Sequence, residues 1–530
     1  MKSFSALLLA ALLLAAAPTR AKTLVFCSEG DPESLNPQVT TSMTGINAAE
    51  PMFDGLVRFE VGTGAILPGL ARSWTVAPDG RAYTFDLREG VKFHANARFT
   101  PTRAFDADDV IFSFERQKRA DNPFHTVVSG TFDYFDDMGF GSLVEGIDRL
   151  GDHRVRFRLA RPSAPFLADL GMPFAKILSA EYAGALLEAG TPDRLDAEPI
   201  GTGPFAFESY SKDQTIRYRA FPDHWNGKPP IDVLVFAITP NAVVRLAKVK
   251  AGECQIMSFP APADAERIAR EPALELLSQQ GFNIGYMTMN ASLPPFDDAR
   301  VRRAVNMAVD KEALIRAVYG RLGVAIKNPL PPGLWSYDDD VPAYPYDPDA
   351  ARRLMVEAGH GDGFSVDMWY LPLTRAYNPD GRRVAEMVAA DLSRIGIETR
   401  LMTAPWRDYR NNVLAGARGI AFYGWTTDNG DPDNFLGLLL GCQDGRPVAN
   451  NVAKWCDPEF ERLVALARAT TDRAERERLY RAAQVVAHDQ APWVPIATGV
   501  DLAVVRREVR NFRLDPFGRF MFDAVDVEGR

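Results

Sequence analysis

A chain of 530 residues, 46% of them hydrophobic, can bury more than one core, and at roughly 150 residues per domain it predicts two to four structural units. A formal net charge of -9 argues against nucleic acid as a partner, because phosphate binding calls for basic surfaces. No fixed-period repeat or low-complexity tract follows the first 21 residues, so the remainder is predicted to be globular.

Residues 1–21 have the pattern of a secretory signal peptide. Lys2 gives a basic start, an apolar run extends from Phe4 to Ala17, and small residues around Ala21 offer a cleavage position. The run is shorter than the roughly 20 residues that cross a bilayer, and no comparable run occurs downstream, so the chain is predicted not to be membrane-inserted. Lys22, rather than a cysteine, follows the predicted cleavage, so we expect a periplasmic protein without a lipid anchor.

Strand and helix patterns alternate in the first part of the chain. Thr23–Cys27 is rich in β-forming residues and predicts a strand. Tyr83–Leu87 alternates apolar and polar residues, and after Gly90 a second run, Val91–His94, follows, which predicts a hairpin. Asp106–Arg116 begins with acidic residues and continues with apolar ones, as is typical of a helix start.

The later half is dominated by helical patterns. Charges are interleaved with apolar residues at helical spacing in Arg300–Tyr319, Asp349–Ala358, Arg382–Ile395 and Asp457–Gln490. Short strand-like runs lie between them, at Phe364–Trp369 and Ile397–Leu401. This alternation predicts a mixed α/β fold.

Four cysteines in an exported chain favour disulfides, because the periplasm is oxidising and the sequence contains no Cys-x-x-Cys pair. Cys442 and Cys456 are close in sequence, and a bridge between them would hold one surface loop. That pairing leaves Cys27 and Cys254 as a second bridge that closes a long segment. The N-terminal strand would then be joined to a mid-chain strand, which predicts a first lobe built from discontinuous segments.

Several blocks of sequence carry a recognisable family pattern. They are Leu70–Trp74, Asp79–Gly80, Tyr83–Phe85, Leu87–His94, Ala107–Val110, Gly201–Phe205, Trp225–Pro229 and Asp298–Asp310. They resemble the family 5 extracellular solute-binding proteins, which feed ABC importers of bacteria. The resemblance implies a periplasmic-binding-protein-like fold with two main lobes around a hinged cleft and a smaller inserted domain.

The same resemblance implies a division of the chain after the signal peptide. Domain I is expected to combine residues 22–54, 204–281 and 500–530. Domain II, the inserted domain, takes residues 55–203, and domain III, the lobe that grips the ligand, takes residues 282–499.

Two further blocks, Gly424–Phe435 and Ala483–Pro492, resemble the dipeptide-binding branch of this family, which also has two disulfides at these cysteine positions. The parts common to all dipeptides are an ammonium group, a carboxylate and one peptide unit. The resemblance implies that Asp428 binds the ammonium and that Arg375 binds the carboxylate. Because an extended chain advances about 3.3–3.6 Å per residue, two charges at a fixed separation would select ligand length.

Residues near these two charges in the sequence, and in the first lobe, are further candidates for ligand contact. Tyr377, Trp425 and Gly424 would line the ligand pocket, and Ser42 and Thr44 would bond the peptide backbone from the first lobe. Each has an ordinary structural interpretation as well: the aromatic rings as core, and the Ser42–Thr44 segment as a plain loop.

The two charged residues have structural alternatives too. The run Asp428–Asp433 is suited to Asx turns, and Arg375 is of the kind found on any protein surface. Calcium binding by this run is not expected, because Gly430 and Pro432 stand where the EF-hand pattern needs Asp or Asn.

The function predicted is that of a periplasmic solute-binding subunit, a monomer without a cofactor or metal, which passes dipeptides to the transmembrane permease subunits of an ABC importer. Alternatives on the same scaffold are an oligopeptide, glutathione or haem as ligand. A secreted hydrolase is less expected, because the sequence has neither Gly-x-Ser-x-Gly nor His-Glu-x-x-His. Its histidines are scattered singly: His94, His125, His153, His224, His360 and His488.

Overall fold

The computed structural model describes residues 21–127, 130–261, 264–404, 406–416, 419–443, 445–448 and 450–528. The predicted signal peptide, apart from Ala21, lies outside the described residues. Within the described ranges, no helix combines the length and the apolar character needed to cross a bilayer.

The strands are numbered in chain order. They are β1 (Thr23–Ser28), β2 (Val57–Phe59), β3 (Ile66–Pro68), β4 (Ala71–Val76), β5 (Ala82–Leu87), β6 (Val144–Gly151), β7 (Arg154–Leu159), β8 (Phe205–Ser211), β9 (Thr215–Ala220), β10 (Val233–Ile238), β11 (Ile256–Ser258), β12 (Leu274–Gln280), β13 (Asn283–Met289), β14 (Gly323–Ala325), β15 (Phe364–Trp369), β16 (Ile397–Met402), β17 (Ile420–Thr426), β18 (Cys442–Gln443), β19 (Arg446–Pro447), β20 (Trp493–Arg506), β21 (Val509–Arg510) and β22 (Asp526–Val527).

The α-helices are numbered in the same way. They are α1 (Met43–Ala49), α2 (Ala107–Lys118), α3 (Asp133–Asp137), α4 (Phe140–Leu143), α5 (Phe166–Asp169), α6 (Ala180–Glu188), α7 (Arg194–Ala197), α8 (Ala242–Ala251), α9 (Ala265–Ala269), α10 (Ala299–Ala308), α11 (Lys311–Leu314), α12 (Pro348–Glu357), α13 (Gly381–Ser393), α14 (Trp406–Leu414), α15 (Asp433–Leu440), α16 (Pro458–Ala469) and α17 (Arg473–Gln490). Short 3₁₀ turns are also present at Glu50–Met52 and Pro173–Ala175, and a π-helical turn at Ile315–Tyr319.

One mixed sheet of 12 strands forms the centre of the molecule, in the order β16-β15-β17-β13-β20-β11-β1-β10-β9-β8, with β12 and β14 also paired to β20. Strand β20 joins its two halves. As far as Gly499 it pairs antiparallel with β13 and β14, and from Val500 onward with β12 and β11. A single strand therefore runs through both halves of the sheet, each with its own core.

A second, antiparallel sheet in the order β4-β5-β7-β6 lies within residues 55–203. Its core is aromatic, and the rings of Phe85, Phe114 and Phe166 each pack edge to face with that of Phe157. Helix α2 covers this sheet and begins at Asp106, whose side chain forms a capping box with the first turn, so the predicted helix start is confirmed.

The predicted hairpin of Tyr83–Leu87 with Val91–His94 is wrong. Both edges of β5 are already occupied, by β4 on one side and β7 on the other, so no edge remains for a hairpin partner. The chain leaves the sheet at Gly90, which has a φ of 71°. Beyond it, the carbonyl of Val91 accepts from the Phe105 amide, and the His94 amide donates to the Gly201 carbonyl.

Two long helices predicted from periodicity are each divided. Arg300–Tyr319 breaks at Val309, which is extended, and Asp310 then caps α11. Asp457–Gln490 breaks after Ala469, and Asp472 caps α17. In both places an aspartate side chain accepts a backbone amide of the next helix, and this competes with continuation of the helix.

The remaining element predictions are confirmed to within a few residues. Strand β1 covers Thr23–Cys27, strands β15 and β16 cover the two later runs, and helices α12 and α13 cover the stretches at 349–358 and 382–395. The mixed α/β class is confirmed as well. Both predicted disulfides are present. Cys27–Cys254 links β1 to the residues just before β11, and Cys442–Cys456 joins two cysteines 14 positions apart.

Candidate ligand-binding site

Asp428 follows the end of β17 and is half-buried. Its Oδ1 accepts a hydrogen bond of 2.9 Å from the Tyr134 hydroxyl, and its Oδ2 accepts one of 3.3 Å from Asn434 Nδ2. The backbone amide of Asp428 donates to Asn434 Oδ1 at 3.1 Å. The carboxylate is therefore held from two sides, by a residue near its own strand and by one from the distant segment around α3.

The Asx-turn interpretation applies to the neighbours of Asp428. Asn429 Oδ1 accepts from the Asp431 amide at 2.9 Å, and Asp431 Oδ1 accepts from the Asp433 amide at 3.0 Å. These two side chains stabilise the turn. The carboxylate of Asp428 instead accepts from Tyr134 and Asn434 and makes no local turn bond of this kind.

The surroundings of Asp428 make its charge costly when no ligand is bound. Burial raises the pKa of Asp428 to about 6, although the hydrogen bonds from Tyr134 and Asn434 act in the opposite direction. Asp137 adds to the rise and Arg519 opposes it. An ammonium group placed against this carboxylate would relieve the penalty.

Arg375 lies in the loop between β15 and α13 and is exposed. The loop is a tight turn in which Arg375 and Asn378 exchange two backbone hydrogen bonds of 3.0 Å. The guanidinium donates to the Thr374 carbonyl at 3.1 Å, and among the described residues no carboxylate lies within ion-pair distance of it. Its remaining donors can therefore take a carboxylate from a ligand.

Tyr377 anchors the Arg375 loop against the strand that leads to Asp428. Its ring lies on Gly424 of β17, where a Cβ would stand only 2.3 Å from Tyr377 Cε2, so the close approach requires glycine at 424. The Tyr377 carbonyl accepts from the Tyr319 hydroxyl at 2.7 Å. Burial raises the pKa of Tyr377 to about 12, against the lowering effect of Arg375. Arg375 and Asp428 are thus attached to the same end of the sheet.

Trp425 is half-exposed and is not a simple core residue. Its Nε1 donates a 2.9 Å hydrogen bond to Asn434 Oδ1, the same oxygen that accepts from the Asp428 amide. One amide side chain, Asn434, thus orients both the indole and the carboxylate. Its importance was not evident from the sequence, because an asparagine near a helix start is usually a cap.

Ser42 and Thr44 hydrogen-bond to carboxylates that follow β1. The Ser42 hydroxyl donates to Glu33 and accepts from the Gly45 amide at 3.1 Å, which caps α1. The Thr44 hydroxyl donates to Glu29 at 2.7 Å. Burial tends to raise the pKa of Glu33, but hydrogen bonds from Ser42 and Thr40 outweigh it, and the pKa is lowered. The two hydroxyls therefore have acceptors within the chain, and their contact with a ligand stays a prediction.

The segments that carry these residues meet around Tyr134. The charges of both Asp428 and Glu33 add to the burial that raises the pKa of the Tyr134 phenol, so Tyr134 keeps its proton and donates. A Cβ at Gly518 would lie 3.6 Å from Met43, and one at Gly430 would lie 3.0 Å from Phe517. The start of α1 and the turn that carries Asp428 thus flank the same stretch at 517–518.

Tyr134 is the main site residue that sequence reasoning missed. It lies 294 positions from Asp428, in an aromatic and acidic stretch without a local motif. Only the packing of α3 against the Asp428 turn brings the two residues together.

Comparison with known proteins identifies the family of the chain. A family model described as bacterial extracellular solute-binding proteins, family 5, middle, matches residues 65–447. The chain belongs to this family of solute-binding proteins. The family 5 resemblance and the periplasmic-binding-protein-like fold predicted from the sequence are confirmed.

Three relatives of this family 5 protein are informative. A dipeptide-binding protein of Escherichia coli is 48% identical over 97% of the chain and 96% of the relative. Heme-binding protein A of Haemophilus influenzae is 44% identical over 96% of the chain and 93% of the relative. The crystal structure of a dipeptide-binding protein from Pseudoalteromonas in complex with Met-Leu has a TM-score of 0.82 and 35% identity, and covers 96% of the chain and all of that structure.

Within the described ranges, no group of three or more His, Cys, Asp or Glu is arranged to hold a metal ion.

Proposed function

We propose that the protein captures dipeptides by their charged termini in the periplasm and delivers them to the permease subunits of an ABC importer. The observation that carries the proposal is the pair of unlike charges at one end of the sheet. Asp428 is half-buried with a pKa raised to about 6, and Arg375 has no carboxylate partner among the described residues. A free dipeptide carries the two complementary charges.

Binding energy favours recognition of the dipeptide by its charged termini over recognition by its side chains. A charge-assisted hydrogen bond is worth about 1.5–3 kcal/mol, and every dipeptide can make one at each end. A guanidinium can bind the carboxylate through two parallel bonds, which fixes its position as well as its charge. Side-chain pockets that hold water can then accept different residues.

The sheet supports a hinge at the predicted domain boundaries. Strand β20 changes partners between Gly499 and Val500, and β12 and β13, which meet at 281–282, pair with its two different halves. These positions coincide with the predicted limits of domain III. Closure about them would bury the ligand and present a new surface to the permease.

Export fits the rest of the proposal. The pattern at residues 1–21 is that of a signal peptide, and the two disulfides suit an oxidising compartment. We propose that the mature protein is a periplasmic monomer.

Calorimetric titration with a dipeptide, a tripeptide and a tetrapeptide of alanine tests the proposal. We expect the dipeptide to bind most tightly, because an added residue moves the ligand carboxylate by about 3.3–3.6 Å from Arg375. Equal or tighter binding of the tetrapeptide would contradict a length-selective site. Titration with haem addresses the ligand named for the Haemophilus relative, and release of free alanine during the incubation would indicate a hydrolase.

A further inference from the structure

Asn429, the residue directly after Asp428, is held by a residue of the 55–203 segment. Its Nδ2 donates a 2.7 Å hydrogen bond to Asp169 Oδ1 across 260 positions of sequence. Asn429 is 4% exposed and Asp169 is 5% exposed, so water does not substitute for either partner. Asp169 is the last residue of α5, which packs on the aromatic core of the second sheet.

The orientation of the Asn429 amide is fixed from its other side. Asn429 Oδ1 accepts from the Asp431 amide and forms the turn, so the Nδ2 group can only point away from that turn, toward Asp169. The backbone of Asn429 is continuous with that of Asp428. A change in the bond to Asp169 therefore moves the turn that carries the Asp428 carboxylate.

A second bond joins the same two parts of the molecule. The Ala164 amide donates to the Arg468 carbonyl at 2.8 Å, and the Arg468 guanidinium pairs with Asp433 at 2.7 Å. Together with the Tyr134–Asp428 bond, this gives three hydrogen bonds between the 55–203 and 282–499 segments around one turn.

We propose that Asp169 is a positioning residue for the ligand site: through Asn429 it makes the placement of Asp428 depend on contact between the 55–203 and 282–499 segments. The proposal rests on the proposed function, in which Asp428 takes the ligand ammonium. The 55–203 segment would then influence ligand affinity through the Asp428 turn, although Asp169 itself does not touch the ligand.

The charges around Asp169 make this contact sensitive to pH. Asp431 and Asp433 face Asp169 with like charge, Arg468 opposes them, and Tyr83 of β5 is near enough to be affected by Asp169. Arg476 pairs with Asp431 at 2.8 Å. Burial raises the pKa of Asp169 to about 8, and the two aspartates add to the rise while the Asn429 bond reduces it.

The direction of the pH effect follows from proton linkage. When the segments separate, water surrounds Asp169 and its pKa falls toward the ordinary value of about 3.9. The contact form keeps the proton at neutral pH, whereas the separated form loses it. The contact is therefore strongest below about pH 4, weakens progressively between about pH 4 and about pH 8, and is constant above that range.

Two substitutions at position 169 separate these effects. Asp169→Asn keeps an acceptor for Asn429 and imitates the protonated acid in both the contact and the separated form, so its contact should not weaken between about pH 4 and about pH 8. The ratio of wild-type to Asp169→Asn dissociation constants should rise, by at most about tenfold per pH unit, up to about pH 8. Asp169→Ala leaves Asn429 Nδ2 without this acceptor and should bind the dipeptide roughly tenfold more weakly than Asp169→Asn at every pH.

Asp86→Ala and Asp86→Asn are the matched controls, because Asp86 lies in the same segment, on β5. Its carboxylate pairs with Arg154 at 3.3 Å, and among the described residues no hydrogen bond or ion pair joins it to the Asp428 turn. Calorimetric titration with Ala-Ala from about pH 6 to about pH 9 gives the affinities. If the wild type binds and both Asp169 variants match it at every pH, the positioning role is wrong.

Hydrogen exchange in the ligand-free protein keeps the test independent of the proposed function. If the wild type does not bind Ala-Ala, the proposed function fails, and exchange of residues 427–436 decides the role of Asp169 alone. Faster exchange there in Asp169→Ala than in Asp86→Ala supports the role of Asp169 in holding the turn, and equal exchange overturns it.

Discussion

The two ends of the candidate site differ in how they are built. Asp428 is half-buried, accepts from Tyr134 and Asn434, and has a raised pKa. Arg375 is exposed, held only by its own short loop, and has no carboxylate partner among the described residues. One end is a preorganised, partly desolvated charge, and the other is a solvated charge on a loop anchored by Tyr377 on Gly424.

We expect the two charges to contribute unequally to the affinity for a dipeptide. An ion pair formed in a partly desolvated place is weakly screened, whereas one formed at an exposed guanidinium is reduced by water and salt. We therefore expect the ammonium end to determine most of the affinity and its pH dependence. The carboxylate end should set ligand length and add a smaller, salt-dependent amount.

The largest expected effect is from Asp428→Ala. Loss of the charge-assisted bond to the ligand ammonium should cost about 3 kcal/mol, or roughly a 100-fold increase in the dissociation constant for a dipeptide. Calorimetric titration measures it. The control Asp428→Asn keeps the shape and should still lose most of the affinity. Unchanged binding in both variants would show that the ammonium is bound elsewhere.

The pH dependence of binding tests the role of Asp428 at the ammonium end. Because the pKa of Asp428 is raised to about 6, the carboxylate is ionised above that pH, and below it a proton must leave before the ammonium binds. Affinity of the wild type should therefore fall below about pH 6, by up to tenfold per unit, and Asp428→Asn should lack this fall. Titrations on both sides of pH 6 measure it, and a wild-type profile that is flat there would contradict the assignment.

Arg375→Ala should have a smaller effect. We expect roughly a tenfold loss of affinity, because the guanidinium is exposed and its pairing is screened. The loss should shrink at high salt, whereas the loss in Asp428→Ala should change less. Arg375→Lys, which keeps the charge but not the two parallel donors, is the matched control. Its affinity should lie between that of the wild type and that of Arg375→Ala. Equal salt dependence of the two alanine variants would contradict the proposed difference between the ends.

Tyr134→Phe should give the smallest effect, a change of a few-fold at neutral pH. Its hydroxyl lowers the pKa of Asp428, so its removal should raise that pKa further and move the fall in affinity to higher pH. The shift in the pH at which affinity falls is measured with the same titrations. Tyr210→Phe is the control, because the Tyr210 hydroxyl donates to Asp31. A shift to lower pH would show that Tyr134 does not stabilise the ionised carboxylate.

The sequence predicted the local parts of this molecule well. Strand β1, helices α12 and α13 and both disulfides follow from short patterns of residue type and from cysteine spacing. Prediction from the sequence failed where two local structures compete for the same backbone groups. Asp310 and Asp472 cap new helices where periodicity predicted continuation, and β5 has its edges filled by β4 and β7 instead of a hairpin partner.

The site shows the same limit. Asp428 and Arg375 were identified through resemblance, because turn chemistry and surface position explain these residue types equally well. Tyr134 and Asp169 had no sequence signal, because their partners lie 294 and 260 positions away. The Ser42 and Thr44 hydroxyls donate to Glu33 and Glu29, and their contact with a ligand stays a prediction.

The most direct test of recognition by the two termini is a calorimetric titration of the wild-type protein with Ala-Ala and with N-acetyl-Ala-Ala under the same conditions. Acetylation removes the ammonium charge and changes nothing at the carboxylate. Recognition of the ammonium by Asp428 predicts that the acetylated peptide binds at least about 100-fold more weakly than Ala-Ala. Similar affinity for the two peptides would contradict it.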